Sequence, residues 1–222
     1  MPITKVSICN TALSRIGISS FITSIEENSV EASACRVVYD MSVERVLREF
    51  SWPFAQQYET LVLVADETTT PWKNDWAYRY RYPTNALTVR RIVTSLGRLE
   101  PKDAPYSIGR DASGKLIYTD MESAVAEITG RVTNPGEFDH AFASALSWYI
   151  ASEISMPLSA MDALRKQAMQ GYMMELDVAK RITTNEGRGT YDIDTDFINS
   201  RFGPVPSGTN ELTIFPSGFT VG

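Results

Sequence analysis

The spacing of apolar residues predicts two helices in the first fifty positions. Large apolar side chains recur at steps of three and four, which places them on one face of a helix. The first stripe consists of Val6, Cys9, Leu13 and Ile16. We expect Thr4 to cap this helix and Gly17 to stop it. The second stripe, between about Ser29 and Phe50, consists of Ala32, Cys35, Tyr39, Val43 and Val46.

The same spacing predicts a second pair of helices in residues 134–183. The buried face of the third helix is marked by Phe138, Phe142, Leu146, Tyr149 and Ile150. We expect Pro157 to close this helix and Ser159 to cap the fourth one. The fourth stripe consists of Met161, Leu164, Ala168, Tyr172, Leu176 and Ala179. Because the connection between these two helices is short, we expect them to pack antiparallel.

Residues 59–133 have a different pattern, which predicts four or five short strands. The most regular segment alternates aromatic and other residues, as Trp76-Ala77-Tyr78-Arg79-Tyr80-Arg81-Tyr82. A period of two predicts that the aromatic side chains lie on one face and the arginines on the other. The candidate segments for the remaining strands are residues 61–64 (LVLV, buried), 89–94, 106–108, 116–118 and 125–132. Residues 111–114 (DASG) suit a hairpin turn.

The last segment, residues 184–222, shows no helical stripe and is rich in glycine, proline, serine and threonine. Large apolar residues nevertheless recur along it, among them Tyr191, Phe197, Ile198, Phe202, Leu212, Ile214, Phe215 and Phe219. A free linker rarely has so many large apolar side chains. We therefore expect this segment to be an extended C-terminal arm that lies on a partner.

Together these patterns predict an α+β fold with a four-helix bundle. Residues 1–58 and 134–183 are expected to supply the N-terminal and C-terminal helix pairs of the bundle. Residues 59–133 form the inserted small β-rich region, and residues 184–222 form the extended C-terminal arm. The composition agrees with a globular protein, since 43% of the 222 residues are hydrophobic and 22% are charged.

The net charge argues against a protein that grips duplex DNA over most of its surface. The formal charge is −6, whereas binding to duplex DNA depends on neutralisation of phosphates by lysine and arginine. The charge is unevenly distributed, because residues 71–118 contain nine basic and four acidic residues, a local excess of +5. The two cysteines are too few for a disulfide framework, and no apolar run is long enough to span a bilayer. We expect a soluble protein of a reducing compartment with no membrane partner.

Residues that could carry catalysis or bind a metal are sparse. His140 is the single histidine, and the nearest nucleophile, Ser144, lies on a helix rather than on a strained turn. Cys9 and Cys35 lie on buried stripes and suit small core residues better than a zinc site. The D-x-D-x-D run at residues 192–196 resembles the start of a calcium loop but lacks the required glycine and glutamate. The sequence therefore predicts no enzyme, no cofactor and no metal.

Two interpretations remain open for the alternating aromatic and arginine segment. Aromatic platforms beside arginines are typical of proteins that bind single-stranded nucleic acids, and Trp76–Tyr82 could serve in this way. Strict alternation also describes a half-buried strand with its arginines outside, where they could meet an acidic partner. The candidate contact residues of the β-rich region are Arg79, Arg81, Arg90, Arg91 and Arg110.

A series of short motifs runs in a fixed order along the chain. It comprises residues 11–17 (TALSRIG), 22–27 (ITSIEE), Glu31-Ala32, Cys35-Arg36, Tyr39-Asp40, 52–55 (WPFA), 80–83 (YRYP) and Leu87. Together with the helix pair from Phe142 to Ile182, this series resembles the tail tubular protein A family, the head-to-tail adaptors of short-tailed (podovirus-type) bacteriophages. The resemblance covers residues 4–180. Ser51 and Asn85 depart from the family pattern, in which glycine and aspartate are common at these positions.

The resemblance implies a homo-oligomeric ring, typically of twelve subunits, between the portal protein and a tail nozzle of the tail tubular protein B type. Genomic DNA would pass through the central channel without sequence-specific binding. The protein would be a structural component of the virion, made in the bacterial cytoplasm, with no catalysis and no cofactor. C-terminal extensions of this family commonly reach along the portal, which assigns the eight named apolar residues of the arm to portal contacts. The five arginines would then contact the nozzle or a neighbouring subunit.

Overall fold

The computed structural model describes residues 2–64, 76–93 and 104–186, which form four α-helices and two small antiparallel sheets. The helices are α1 (Lys5–Arg15), α2 (Val30–Glu49), α3 (His140–Ser159) and α4 (Asp162–Glu186). The strands are β1 (Gln56–Thr60), β2 (Tyr78–Arg81), β3 (Ala86–Val93), β4 (Tyr106–Asp111), β5 (Gly114–Thr119) and β6 (Val125–Gly130). One sheet has the strand order β1-β6-β3 and the other β2-β5-β4. The predicted α+β class is confirmed.

Helix α1 begins and ends where its capping residues predict. The Thr4 hydroxyl accepts a hydrogen bond of 3.0 Å from the Ser7 amide, and the Ser7 hydroxyl accepts one of 2.9 Å from the Thr4 amide. This reciprocal arrangement satisfies two amides that have no partner inside the helix. After α1, Gly17 has a φ of +79°, and the Ile18 amide donates to the Leu13 carbonyl at 3.0 Å. A left-handed residue followed by such a bond is the usual end of a helix.

Helix α3 packs against each of the other three helices, and a cluster of aromatic rings ties it to the chain that follows α2. Trp52 is fully buried, and its indole Nε1 donates a 3.0 Å hydrogen bond to the Val46 carbonyl. The Phe142 ring is packed edge to face by two other rings. Its centroid lies 5.1 Å from that of Trp52 and 5.1 Å from that of Phe54. Such edge-to-face pairs stabilise a core beyond the area they bury.

The predicted junction between the last two helices is wrong by a few residues. Pro157 does not close α3, which continues to Ser159 and ends where Ala160 adopts a φ of +54°. A proline in the last turn removes one backbone hydrogen bond, which costs less than an interior break. Ser159 does not cap α4 either, because its hydroxyl donates back to the Ser155 carbonyl at 2.6 Å.

The two sheets share one apolar cluster. It contains Tyr80 and Ile117 from one sheet and Val89, Ile92 and Ile128 from the other, all at most 5% exposed. Each sheet therefore buries one face against the other, which is the usual way for small antiparallel sheets to form a core.

The predicted buried strand at residues 61–64 is mostly exposed. Leu61 is buried, but Val62 and Leu63 are 68% and 55% exposed. The segment follows the edge of β2, where the Arg81 amide donates to the Val62 carbonyl at 2.9 Å. Because it lies at a sheet edge, most of its side chains have no layer to pack against within the part of the chain that the structure describes. None of the helices in residues 2–64, 76–93 and 104–186 has the length and hydropathy required to cross a membrane.

Candidate functional site

The arginines expected to contact a partner are mostly engaged inside the molecule. The Arg90 guanidinium on β3 donates to the carbonyls of Phe50, Arg48 and Leu47 at 2.7, 3.0 and 3.2 Å. Its Nε donates to the Thr129 hydroxyl at 2.8 Å. The last carbonyls of a helix have no partner inside the helix. Arg90 therefore fixes the carboxyl end of α2 to the sheet that contains β3 and β6.

Two more of these arginines form ion pairs within the sheets. Arg81 on β2 binds Asp111 on β4 at 2.8 Å, and its guanidinium holds the pKa of the Asp111 carboxyl below its usual value. Arg91 on β3 binds Glu127 on β6, and this bond raises the pKa of Arg91. The Glu127 carboxylate is only 5% exposed and also accepts a 3.2 Å hydrogen bond from the Tyr58 hydroxyl. These charges hold strands together.

Arg110 is the member of the predicted set that is clearly exposed, since Arg79 is half-buried on β2. Arg110 lies directly opposite Lys115 in the β4–β5 ladder. Lys115 is also exposed, and its Nζ lies 5.2 Å above the Tyr82 ring. This lysine was not in the set predicted from the sequence. The hairpin register, which follows from the turn at residues 111–114, is the signal that could have found it.

The aromatic residues of β2 form a core face. Tyr80 is 2% exposed, and its hydroxyl donates to the Met121 carbonyl at 2.8 Å. Tyr78 and Tyr82 pack against the same apolar cluster, and the rings of Tyr78 and Tyr80 are 6.4 Å apart. Stacking on a nucleic-acid base requires an accessible ring face, which Tyr80 lacks. Among the described residues, this burial favours the half-buried strand over the single-strand binding platform.

A small pocket lies between α2 and the chain that enters α3, and sequence reasoning did not predict it. Its volume is about 280 Å³, and Val43, Leu47, Val132 and Phe138 supply its apolar wall. Two ion pairs line it, Lys5–Asp40 at 3.5 Å and Arg131–Glu44 at 3.0 Å. The Tyr39 hydroxyl is buried and has no hydrogen-bond partner within the described residues. Burial is the main reason that the pKa of Tyr39 is raised.

An open apolar groove lies where α2 passes the end of α3. It has a volume of about 530 Å³ and is lined mainly by Val30, Ala34, Val37, Val38, Pro157 and Leu158. Val37 and Met41, on the outer face of α2, are 73% and 77% exposed. Exposed apolar stripes of this kind often mark protein contacts. The helix periodicity did not reveal the groove, because it needs side chains from two helices distant in sequence.

The residues considered for catalysis occupy ordinary positions. His140 is exposed at the first residue of α3. Ser144 accepts a hydrogen bond of 3.0 Å from Arg15. Cys9 and Cys35 are fully buried free thiols in contact, and this contact together with burial raises the pKa of the Cys9 thiol. In the ranges that the structure describes, no three histidine, cysteine or acidic side chains come together as a possible metal site.

The expected portal contacts of the arm lie outside the described residues. They are Tyr191, Phe197, Ile198, Phe202, Leu212, Ile214, Phe215 and Phe219. The D-x-D-x-D run at residues 192–196 lies outside them as well. The described contacts are therefore those of the helices and the two sheets.

No protein-family model matches this chain, and none of the curated proteins matches it.

Proposed function

We propose that this protein is the head-to-tail adaptor of a short-tailed bacteriophage. In this proposal about twelve copies form a ring between the portal and the tail nozzle, and the ring lines the channel through which DNA leaves the capsid. The four helices form a bundle around α3, the β-rich region faces the nozzle, and the arm that follows Glu186, the last residue of α4, reaches the portal. The protein is then a structural part of the virion and catalyses no reaction.

The observation that carries this proposal is that the motifs of the ordered series make contacts within the helical core. Residues 11–15 form the second half of α1, where Arg15 donates to the Ser144 carbonyl at 2.7 Å, and residues 16–17 end the helix. Residues 22–27 form a loop tied to α1 by Asn10, whose side chain exchanges bonds of 2.8 and 2.9 Å with the Ile22 backbone. Residues 52–55 place Trp52 in the aromatic cluster. The motifs thus join separate parts of one helical core, as expected of residues that define a fold family.

The absence of a predicted catalytic centre suits a structural role, and the acidic chain suits a DNA channel. With a formal charge of −6, a ring of such subunits makes few attractive contacts with phosphates, so DNA can slide through it. A contact that is weak in one subunit becomes durable when about twelve copies bind at once. A ring of many subunits can therefore bind its neighbours durably even when the affinity of each single interface is modest.

The proposal is tested by mixing the full chain with the portal protein of the same phage and imaging the product by electron microscopy. The expected result is a second ring seated on the portal ring. A portal that stays bare at micromolar concentrations of a folded chain contradicts the proposal. A variant that ends at Glu186 tests the role of the arm, because it keeps every described helix and removes residues 187–222.

The truncated variant is expected to bind the portal at least about tenfold more weakly, since the arm supplies the predicted apolar contacts. Circular dichroism provides the control that its helices remain folded. A truncated chain that seats on the portal as tightly as the full chain removes the arm from the proposal but leaves the adaptor role intact.

A further inference from the structure

The β4–β5 hairpin carries two exposed positive charges at its turn. Arg110 and Lys115 are directly opposite each other in the ladder, and both side chains are exposed. Like charges in opposite positions of a ladder destabilise the pair of strands. The arrangement therefore costs stability unless a negative group lies against both side chains.

The described residues supply no such negative group. The nearest acidic residue in sequence, Asp111, is bound by Arg81 at 2.8 Å and also accepts a 2.8 Å hydrogen bond from the Ser113 amide. Lys115 contacts the Tyr82 ring instead of a carboxylate. Across the ranges that the structure describes, neither Arg110 nor Lys115 makes an ion pair.

The opposite end of strand β5 carries two exposed negative charges. Asp120 and Glu122 follow β5 directly, in a turn where Ser123 has a φ of +55°. One oxygen of Asp120 accepts a 2.9 Å hydrogen bond from the Ala77 amide, and neither acid pairs with a cationic side chain of the described residues. A strand rises about 3.3 Å per residue, so the two charged ends are about 17 Å apart.

We propose that the Arg110–Lys115 end of one subunit docks against the Asp120–Glu122 turn of the next subunit. The inference rests on the proposed ring and specifies which surfaces meet within it. Two different surfaces of one chain that complement each other form a head-to-tail contact, and such contacts close into rings when the rotation permits. The outer edge of β4 has no strand partner among the described residues, and the Arg110 side chain on it is exposed.

The charges set the orientation and register of the neighbour more than the strength of the contact. Exposed ion pairs contribute little affinity, but complementary charges guide encounter and reject wrong partners. A second copy is favoured over nucleic acid as the occupant because two cations neutralise few phosphates, and because the same sheet presents two acids that repel a phosphate backbone. The alternative is that the two cations have no binding partner and only protect the exposed edge strand from aggregation.

A charge swap distinguishes these alternatives. One variant carries Arg110→Glu and Lys115→Glu, a second carries Asp120→Lys and Glu122→Lys, and a third carries all four changes. In the first two variants like charges meet at every contact, so we expect association at least about tenfold weaker than in the natural chain. An equimolar mixture of these two, or the third variant alone, restores opposite charges at each contact and should recover assembly.

Assembly is measured by sedimentation velocity of the full chain at low and at high salt, because salt screens such contacts. The control variant carries Arg165→Glu and Arg181→Glu, which make the same change of net charge on exposed positions of α4. The inference is overturned if the natural chain stays monomeric, if the control assembles as poorly as the first variant, or if the mixture fails to recover. It is also overturned if the only effect of the first variant is greater aggregation than in the natural chain.

Failure of this inference is distinguishable from failure of the adaptor role. Portal binding is measured independently, by imaging the portal with each charge variant. A chain whose ring on the portal is insensitive to all four substitutions remains an adaptor, but its subunits meet through other surfaces. Conversely, a folded chain that assembles by charge complementarity but never binds the portal supports the subunit contact and contradicts the adaptor role.

Discussion

The guanidinium of Arg90 donates a hydrogen bond of 2.7 Å to the backbone carbonyl of Phe50, directly after the end of α2. The same Nη2 atom also reaches two further carbonyls of that helix end. A cationic group at the carboxyl end of a helix also interacts favourably with the helix dipole. Arg90 is therefore a C-terminal cap supplied by a distant strand, and it couples the helical part to the sheets.

Replacement of Arg90 by methionine should destabilise the protein, because it removes a charged donor from several carbonyls at once. Hydrogen bonds to charged groups contribute about 1.5–3 kcal/mol, and we expect a loss of that size. Urea unfolding followed by circular dichroism measures it. Arg165→Met is the matched control, since Arg165 is an exposed arginine, and its effect should stay within about 0.5 kcal/mol. Equal effects of the two substitutions contradict the capping role.

The ion pair between Arg91 and Glu127 gives a second prediction, because its acidic member is 5% exposed. Arg91→Met leaves the buried carboxylate with the Tyr58 hydroxyl as its remaining described partner. Removal of one partner from a buried pair costs about 3–5 kcal/mol. Since the Arg91 side chain is 38% exposed, solvent screens part of the interaction, and about 2–3 kcal/mol is expected. Chemical denaturation of the single variant measures this loss.

The double variant Arg91→Met/Glu127→Leu separates the cost of a buried charge from the value of the pair. Replacement of both partners by apolar residues is often neutral, so the double variant should be clearly more stable than Arg91→Met alone. If the two losses simply add, the carboxylate is not the source of the penalty. A full double-mutant cycle with Glu127→Leu gives the coupling energy.

Local chemistry explains why the helices and most of the strand segments were predictable and the pairing of the strands was not. Thr4, Ser29 and Gly17 act on amides and carbonyls within a few residues of themselves, so helix limits can be read from neighbours in sequence. The pairing of Gln56 with Thr129 joins the first strand of the chain to the last one. No local pattern specifies such a partner. The Pro157 error has a different cause, because a proline in the last turn is tolerated and α3 ends at the left-handed backbone of Ala160.

The arginines of the candidate site also depend on partners distant in sequence, which limits what the sequence predicts about them. The period of two correctly placed the aromatic residues of β2 on the buried face. Whether an arginine on the other face meets solvent or a carboxylate depends on the neighbouring strands. Asp111 and Glu127 come from β4 and β6, and Arg81 and Arg91 reach them only after the sheets have formed. Sequence reasoning therefore found the charged face but could not separate its internal pairs from its exposed charges.

The loop between α1 and α2 predicts a specific loss of stability in acid. The Glu27 carboxylate accepts hydrogen bonds from the Thr23 amide and hydroxyl, each at 2.9 Å, and from the Ser29 hydroxyl at 2.8 Å. The Thr23 amide is the first cause that lowers the pKa of Glu27 from 4.5 to about 2. A lowered folded pKa stabilises the native state above pH 4.5, and this contribution is lost as the pH falls towards 2.

Glu27→Gln is therefore expected to be less stable than the natural chain at neutral pH and to approach it as the pH falls to about 2. Thermal unfolding at a series of pH values measures the difference between the two proteins. Glu26→Gln is the neighbouring control, because Glu26 pairs with Arg36 at the surface and makes none of these loop contacts. A difference between natural and Glu27→Gln chains that does not change over this pH range rules out the carboxylate as its cause.

At Gly171 in α4, we expect that substitution by alanine changes stability in the direction opposite to that given by helix propensity. In an exposed helix, glycine to alanine usually stabilises by about 0.5–1 kcal/mol. At residue 171 a methyl group would lie 2.8 Å from the ring of Trp148, which itself stacks under Arg15 at 4.3 Å. Overpacking of this kind costs about 1–3 kcal/mol. We therefore expect Gly171→Ala to destabilise the protein by about 1–2 kcal/mol in urea unfolding.

The ring of Trp148 is the cause only if its removal reverses the effect of the substitution at residue 171. In a Trp148→Leu background the methyl group no longer meets the ring, and Gly171→Ala should then stabilise the protein, as helix propensity predicts. Gln170→Ala, at the exposed position beside it, should have little effect in either background. A loss of similar size with and without the tryptophan ring would place the strain in the α4 backbone and would refute the packing argument.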